Sequence, residues 1–516
     1  MTGYSERMSR FLRWVRFLAR ALLALAMVAG YYALSLVVAA GSVVLIVVVV
    51  RWHGPSIALV MLGALAVLSL WTAGRVLFER GKQDGDLPGI VLDAAAEPAL
   101  FSLVADVARE VGTRPPDEIR LIPDANAFVT EVGGTFGFGR RRVLALGYSI
   151  LRKSNRSELV ATIAHELGHF VAGDTALGPL VRRAHTVLVR SIVILEQGGT
   201  DHFYGVEAAR AVLTAGLTTY AKLSLRVSLG VARQQELEAD RVAIRLAGRT
   251  PHVRSLARIG VDIVTLNAFL DREIAPLAHA GFWPNAFWEG YDAFARATHE
   301  EIAHKVRGRQ ADPYDTHPSP EERVRFAEGV VGDDPVEDTR SALELLADPH
   351  APWARLEEAL GPSLERCAWA DVPHIRGKRV FETASETHRA YAALSIGGGW
   401  GEAAKGAMRC LFAEGPYRLV GVAEPELLQV NGPTWHALAP VVLGVSLGSV
   451  VAMALVEERG GRFVHEVGRG LAVDLGGARV RPFELAEAAS ASREAFDELW
   501  RWLDAPLPEA PSAPTT

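Results

Sequence analysis

The hydrophobic pattern divides the chain into an apolar front, a periodic middle and a mixed end. Residues 21–50 contain no charge, a run longer than the roughly 20 residues a helix needs to cross a bilayer and well beyond a signal-peptide core of about 7 to 15. Arg51-Trp52-His53-Gly54-Pro55 breaks it, and residues 56–74 form a second apolar stretch ending at Arg75. Neither stretch has the polar face that a helix of a soluble core shows, so together they predict a transmembrane helical hairpin over residues 21–80.

A polar linker follows. Apolar positions then recur at helical spacing over 100–111, and residues 118–122 read as a short strand stopped by Pro123. Residues 126–146 alternate around Gly133-Gly134 and Gly137-Phe138-Gly139, as a β-hairpin does. Its edge is either structural or a surface for pairing with an extended polypeptide. Residues 206–231 are long and apolar but carry Glu207, Arg210, Lys222 and Arg226. Each would cost a few kcal/mol against lipid, which favours a core or membrane-apposed helix. Helix continues to about residue 280, before an aromatic run, Phe282-Trp283-Pro284-Asn285-Ala286-Phe287-Trp288, that suits a cleft, a bilayer interface or core packing equally.

Beyond Asp333-Asp334-Pro335 the pattern weakens. Residues 437–456 are charge-free, yet Pro440, two glycines and two serines interrupt them and an alternating stretch follows from Arg462. A glycine-rich pair of strands is preferred there over a third membrane span. Residues 484–502 predict an amphipathic terminal helix, and 505–516 a disordered tail. The expected fold class is mainly α with a small β-sheet, set on the transmembrane hairpin, with one α+β unit over 95–330 and a C-terminal α+β extension over 331–504.

Composition sharpens the membrane reading. With 49% hydrophobic residues and a mean hydropathy of +0.15, the chain is more apolar than a soluble protein of this length needs to be. Its net charge of −6 gives no bias towards nucleic acid, and no phosphate-binding loop or basic aromatic surface occurs. Arg7, Arg10, Arg13, Arg16 and Arg20 alternate with apolar residues, so residues 1–20 predict a basic amphipathic segment on the inner leaflet, worth about 1 kcal/mol per arginine near anionic lipid. Arginines crowd both outer flanks of the hairpin and only one lies in its loop, which places both termini in the cytoplasm. The expected location is the cell membrane, multi-pass, with the unit over 95–330 in the cytoplasm. Cys367 and Cys410 are the only cysteines; no disulfide framework exists, as suits a reducing compartment.

The candidate chemistry lies in the middle. His165-Glu166-Leu167-Gly168-His169 sits in a predicted helix, where positions four apart share a face, so His165 and His169 can offer two imidazoles to one ion with Glu166 beside it. Five residues are a modest signal, and a helix with two polar stripes explains them as well. Downstream, Glu236 and Asp240 are also one turn apart. Glu236 completes a three-ligand zinc site and Asp240 orients a ligand histidine from behind, unless this is merely a solvated charged helix. The set predicts one zinc ion per site, with Glu166 as general base for an attacking water.

These two motifs, HELGH and then RxxExEAD, resemble the membrane zinc endopeptidases that include the CAAX prenyl protease and the heat-shock protease HtpX, of the gluzincin class. Asn126-Ala127-Phe128 matches that family's edge-strand element, and Thr316-His317-Pro318-Ser319-Pro320-Glu321-Glu322-Arg323 its element after the third ligand. The resemblance implies an endopeptidase acting on polypeptides, membrane proteins foremost, beside the lipid bilayer. It implies that Asn126, Ala127 and Phe128 hold substrate, that His317 donates to the oxyanion, and that Arg323 positions His317 or holds substrate. Asp174, in a Gly-Asp pair after the motif, supports a ligand or simply closes the helix. The competing reading is a zinc-stabilised membrane scaffold or sensor, against which an intact Glu166 argues. Hydrolysis of a non-peptide bond stays open, and a prenylated substrate is the less favoured one.

Overall fold

The computed structural model describes scattered positions between 22 and 70 and then residues 87–132, 141–170, 204–308, 318–330, 334–361, 363–395, 397–425 and 432–504. The chain packs as two units, one of Met1–Ile263 with Val306–Ala359 and one of Val264–Lys305 with Leu360–Thr516. The chain therefore leaves the first unit, enters the second, returns, and leaves again.

In the first unit a four-stranded sheet has the order β1-β2-β4-β3, with β1 Ile90–Val91, β2 Glu118–Ile122, β3 Ala127–Val132 and β4 Arg141–Gly147. β2 and β4 run parallel in the middle, and Ile119, Leu121, Leu144 and Leu146 are fully buried there. β3 pairs antiparallel with β4, from Ala127 opposite Leu146 to Val132 opposite Arg141, so the predicted hairpin forms and β3 is an edge. Helix α1, Pro98–Val111, buries Leu100, Val104, Val107, Ala108 and Val111 on one face, and Gly112 ends it with φ 88°. The helices that follow are α2, Arg156–Gly168, which packs on β3; α3, Tyr204–Ala247, which packs on α2; α4, Arg249–Phe269, which leaves this unit after Ile263; and α5, Pro320–Glu328, which packs on α3. The two sequence segments read separately at 206–231 and around Glu236 form the single 44-residue helix α3.

In the second unit, Phe282–Pro284 pairs in parallel with Glu365–Cys367. The aromatic run resolves to core packing: Trp283 and Phe287 are buried, and Phe287 meets Phe269 edge-on at 5.1 Å. The extension contains α6, Val372–Ala392; α7, Trp400–Glu414; α8, Gly432–Met453; strands β5 Arg462–Glu466, β6 Gly470–Leu475 and β7 Ala478–Val480; then α9, Pro482–Ala489, and α10, Arg493–Asp504. The terminal helix expected over 484–502 is thus two helices, broken at the serines that precede α10.

Residues 437–456 correct the sequence reading. They are helical, not a pair of strands, and Leu443, Leu447, Val450, Val451 and Leu455 are fully buried in the unit's core. The window over Leu438–Glu458 is apolar enough to span a membrane but is 72% buried inside the protein. The glycines read as breakers have another use. Gly444 and Gly448 lie one turn apart facing α9, where a Cβ on Gly448 would stand 2.8 Å from the Cα of Phe483 and one on Gly444 3.1 Å from the Cβ of Glu487. They form a groove that lets two helix backbones approach. Gly448→Val is expected to destabilise this unit by about 1–3 kcal/mol through overpacking; an unchanged thermal midpoint would contradict the close crossing.

Of the N-terminal hairpin, the helical stretch Ser35–Val48 is described. The basic segment 1–20, most of residues 51–80 and the tail 505–516 lie outside the described residues.

Candidate metal centre

Helix α2 is fixed at its start by a reciprocal cap. Asn155 Oδ1 accepts from the Glu158 N–H at 2.8 Å, and Glu158 Oε2 accepts from the Asn155 N–H at 3.1 Å. The buried Glu158 carboxylate also meets Arg254 Nε at 3.0 Å and the Arg258 guanidinium, both from α4. Leu159, Ala161, Ile163, Ala164 and Leu167 are fully buried, so α2 is a central helix with no solvated stripe for polar residues to occupy by default. Near its end, a Cβ on Gly168 would come within 3.2 Å of the Cα of Ala239 in α3. Gly168 lies between the two histidines and Ala239 between Glu236 and Asp240, so this small-residue contact sets the two motifs face to face.

Three ligand atoms converge there. His165 Nε2 lies 3.5 Å from Glu236 Oε2, and His169 Nε2 lies 3.7 Å from Glu236 Oε1. One donor atom from each of His165, His169 and Glu236 falls within 4.8 Å of the others. Bonds of about 2.0–2.2 Å in a tetrahedral shell put neighbouring ligands about 3.3 Å apart, close to these separations. Two imidazoles and a carboxylate are also a donor set for zinc.

Electrostatics point the same way. Glu166, Glu236 and Asp240 bring three carboxylates to the neighbourhood, against the guanidinium of Arg323, which lies 3.9 Å from Glu236 Oε2. Burial alone would lower the pKa of His165, yet Asp240 and Glu236 outweigh it and hold it up at about 9. The site attracts positive charge. Burial pushes Glu166 up, reinforced by Glu236 and opposed by His165, Arg323 and the Val129 backbone N–H of the edge strand β3. That last contact puts β3 next to the candidate base.

Asp240 is fully buried behind His165. Its Oδ1 lies 3.0 Å from His165 Nδ1, an approach that calls for a proton on that nitrogen, while Nε2 faces the ligand cluster. Arg323, on α5, donates from Nε to Asp240 Oδ2 at 2.9 Å and from Nη2 to Oδ1. Burial would raise the Asp240 pKa, but Arg323, His165 and His252 hold it far below the ordinary carboxylate range. Helix α5 owes its start to Ser319, whose hydroxyl accepts from the Glu322 N–H at 3.2 Å while Glu322 Oε2 accepts from Ser319 N–H at 3.1 Å.

The structure thus gathers His165, Glu166, His169, Glu236, Asp240 and Arg323. The guanidinium of Arg323, which the resemblance gives to His317 or to substrate, lies on Asp240, beside His165. At the start of β3, Ala127 is buried, Phe128 is half-buried and exposed Asn126 accepts from the Ala127 N–H through Oδ1 at 2.9 Å. His317 and Asp174 lie outside the described residues. Sequence reasoning missed His252 on α4, which is buried with Nε2 3.2 Å from Asp240 Oδ1. No motif surrounds it.

Comparison with known proteins agrees with this picture. Residues 94–331 match the model of Peptidase family M48, so the family resemblance carried by the motifs holds for the segment that bears the site. The chain is 26% identical over 181 residues to the Protease HtpX homolog of Thermococcus kodakarensis, covering 33% of this chain and 59% of that protein. It is 27% identical over 177 residues to Protease HtpX of Pseudomonas putida, covering 32% and 56%. The chain therefore spans less than two thirds of the length of either relative. A solved structure, that of S. mikatae Ste24p, overlaps 59% of this chain and 67% of its own at 16% identity, with a TM-score of 0.28 that carries no structural argument.

Proposed function

We propose that this protein is a membrane-anchored, zinc-dependent endopeptidase that cuts membrane or membrane-proximal polypeptides in the service of protein quality control. The convergence of His165, His169 and Glu236 beside Glu166 is the observation that carries this reading. A zinc ion held by those three side chains supplies Lewis-acid polarisation of the scissile carbonyl and makes water more acidic. The rest falls to the chain itself. Glu166 takes the proton of the attacking water and delivers it to the leaving amine. Asp240 and Arg323 hold His165 in orientation, while β3, entered through Asn126, Ala127 and Phe128, pairs with an extended substrate backbone. His317 donates to the oxyanion.

Membrane anchoring is supported by Ser35–Val48, on which Leu36, Val37, Val43, Val44, Leu45 and Val47 are each more than half exposed. So continuous an apolar surface suits lipid, not water. The cytoplasmic, multi-pass orientation follows from the arginine distribution. A scaffold or sensor would have no need of a half-buried carboxylate beside the ligands, and the similarity to proteins named as proteases also favours hydrolysis.

Detergent-purified full-length protein is expected to cleave an unfolded membrane polypeptide, to stop when chelator is added and to resume when zinc is returned. Cleavage indifferent to chelator would overturn the proposed chemistry.

A further inference from the structure

Asp240 Oδ1 is approached by three side chains from three helices: His165 Nδ1 of α2 at 3.0 Å, His252 Nε2 of α4 at 3.2 Å, and Arg323 Nη2 of α5. A carboxylate with no access to water must find its hydrogen bonds inside the protein. The Arg323 fork grips both oxygens, yet a planar fork alone lets the carboxylate rock out of its plane. His252 Nε2, buried 3.2 Å from Oδ1 and with no other hydrogen-bond partner among the described residues, is placed to supply a third donor and remove that freedom. The His252 and His165 rings lie side by side at 6.4 Å with 27° between their planes, both directed at the same oxygen.

We propose that His252 is a positioning residue of the metal centre: by holding Asp240 Oδ1 from α4, it fixes the Nδ1–H of His165 and with it the direction in which His165 Nε2 points. This rests on the zinc site proposed above. His252 is not among the three ligands and acts through Asp240.

A packing role alone does not account for the arrangement. Helix α4 is tied to α2 through Arg254 and Arg258 on Glu158, and Lys153 meets Asp262 of α4 at 2.6 Å. The backbone bond from His252 N–H to Gly248 O, 3.3 Å, needs no imidazole. The helix is anchored independently of the ring.

The test uses the full chain in detergent, stripped by chelator and reloaded with Co²⁺, whose d–d absorption reports ligand geometry. His252→Met is expected to leave the melting temperature of the stripped protein unchanged, to shift the cobalt absorption and to speed metal loss to a chelator about tenfold, the scale seen when groups behind a ligand are removed. His252→Gln, which places an N–H donor near the position of Nε2, is expected to restore both readouts. Wild-type spectrum and release rate in His252→Met would overturn the proposal, and so would His252→Gln remaining as impaired as His252→Met. If His252→Met fails to fold, His252→Phe takes its place; failure of both while His252→Gln folds makes the residue a packing element and also overturns it. If the wild type binds no cobalt at all, the zinc site itself is wrong and this proposal falls with it. A wild type that binds while His252→Met is indistinguishable from it removes only the inference.

Discussion

Glu166→Gln is expected to retain metal at the wild-type ratio and to lose about a thousandfold in peptide hydrolysis. The amide keeps the size and much of the polarity of the carboxylate but cannot accept the proton of an attacking water, and positioned acid–base groups commonly contribute about 10²–10⁴-fold. Glu166 is set for this task by its neighbours. Burial raises its pKa, while the Val129 backbone N–H fixes one side of it against the edge strand. Because its side chain is outside the ligand trio, metal content separates a chemical defect from a lost site. Wild-type turnover in this variant would rule out the assigned base.

Glu236→Ala is expected to lose the metal itself. It removes one of three ligands and opens a gap between His165 Nε2 and His169 Nε2, which the carboxylate spans at 3.5 and 3.7 Å. Loss of a group behind a ligand costs about 10–100-fold in affinity, so loss of the ligand should exceed that upper figure. The metal-to-protein ratio after dialysis measures it directly. Activity should fall in parallel, in contrast to Glu166→Gln. A full complement of tightly held metal in Glu236→Ala would mean that the third ligand lies elsewhere.

The site was legible in the sequence to the extent that its geometry is helical. His165 with His169, and Glu236 with Asp240, are pairs one turn apart, so their shared faces follow from the pitch of the helix alone. What brings the two pairs together is not helical but steric, the approach of Gly168 to Ala239, and no periodicity encodes it. His252 was invisible for a related reason. It reaches Asp240 only because α4 folds back after Gly248, whose φ of 91° turns the chain. In the C-terminal half the error had the opposite sign. Gly444 and Gly448 looked like interruptions of a regular element, whereas in a helix packed against another they are what makes contact possible. Composition could not distinguish the two uses, because the partner helix lies at the far end of the intervening strands.

The twofold passage of the chain between its units bears on how this protein can be dissected. Helix α5, which carries Arg323, is synthesised after the chain has already contributed Val264–Lys305 to the second unit, and that unit's remainder arrives only from Leu360 onward. Within it, Phe282–Pro284 depends on Glu365–Cys367 for its pairing, and Glu273 takes His465 Nε2 at 2.8 Å and the Gly468 N–H at 2.8 Å. Shortening the gene from its 3′ end therefore does not excise a module. It leaves Val264–Lys305 without the rest of its unit, between two segments of the unit that carries the candidate metal centre.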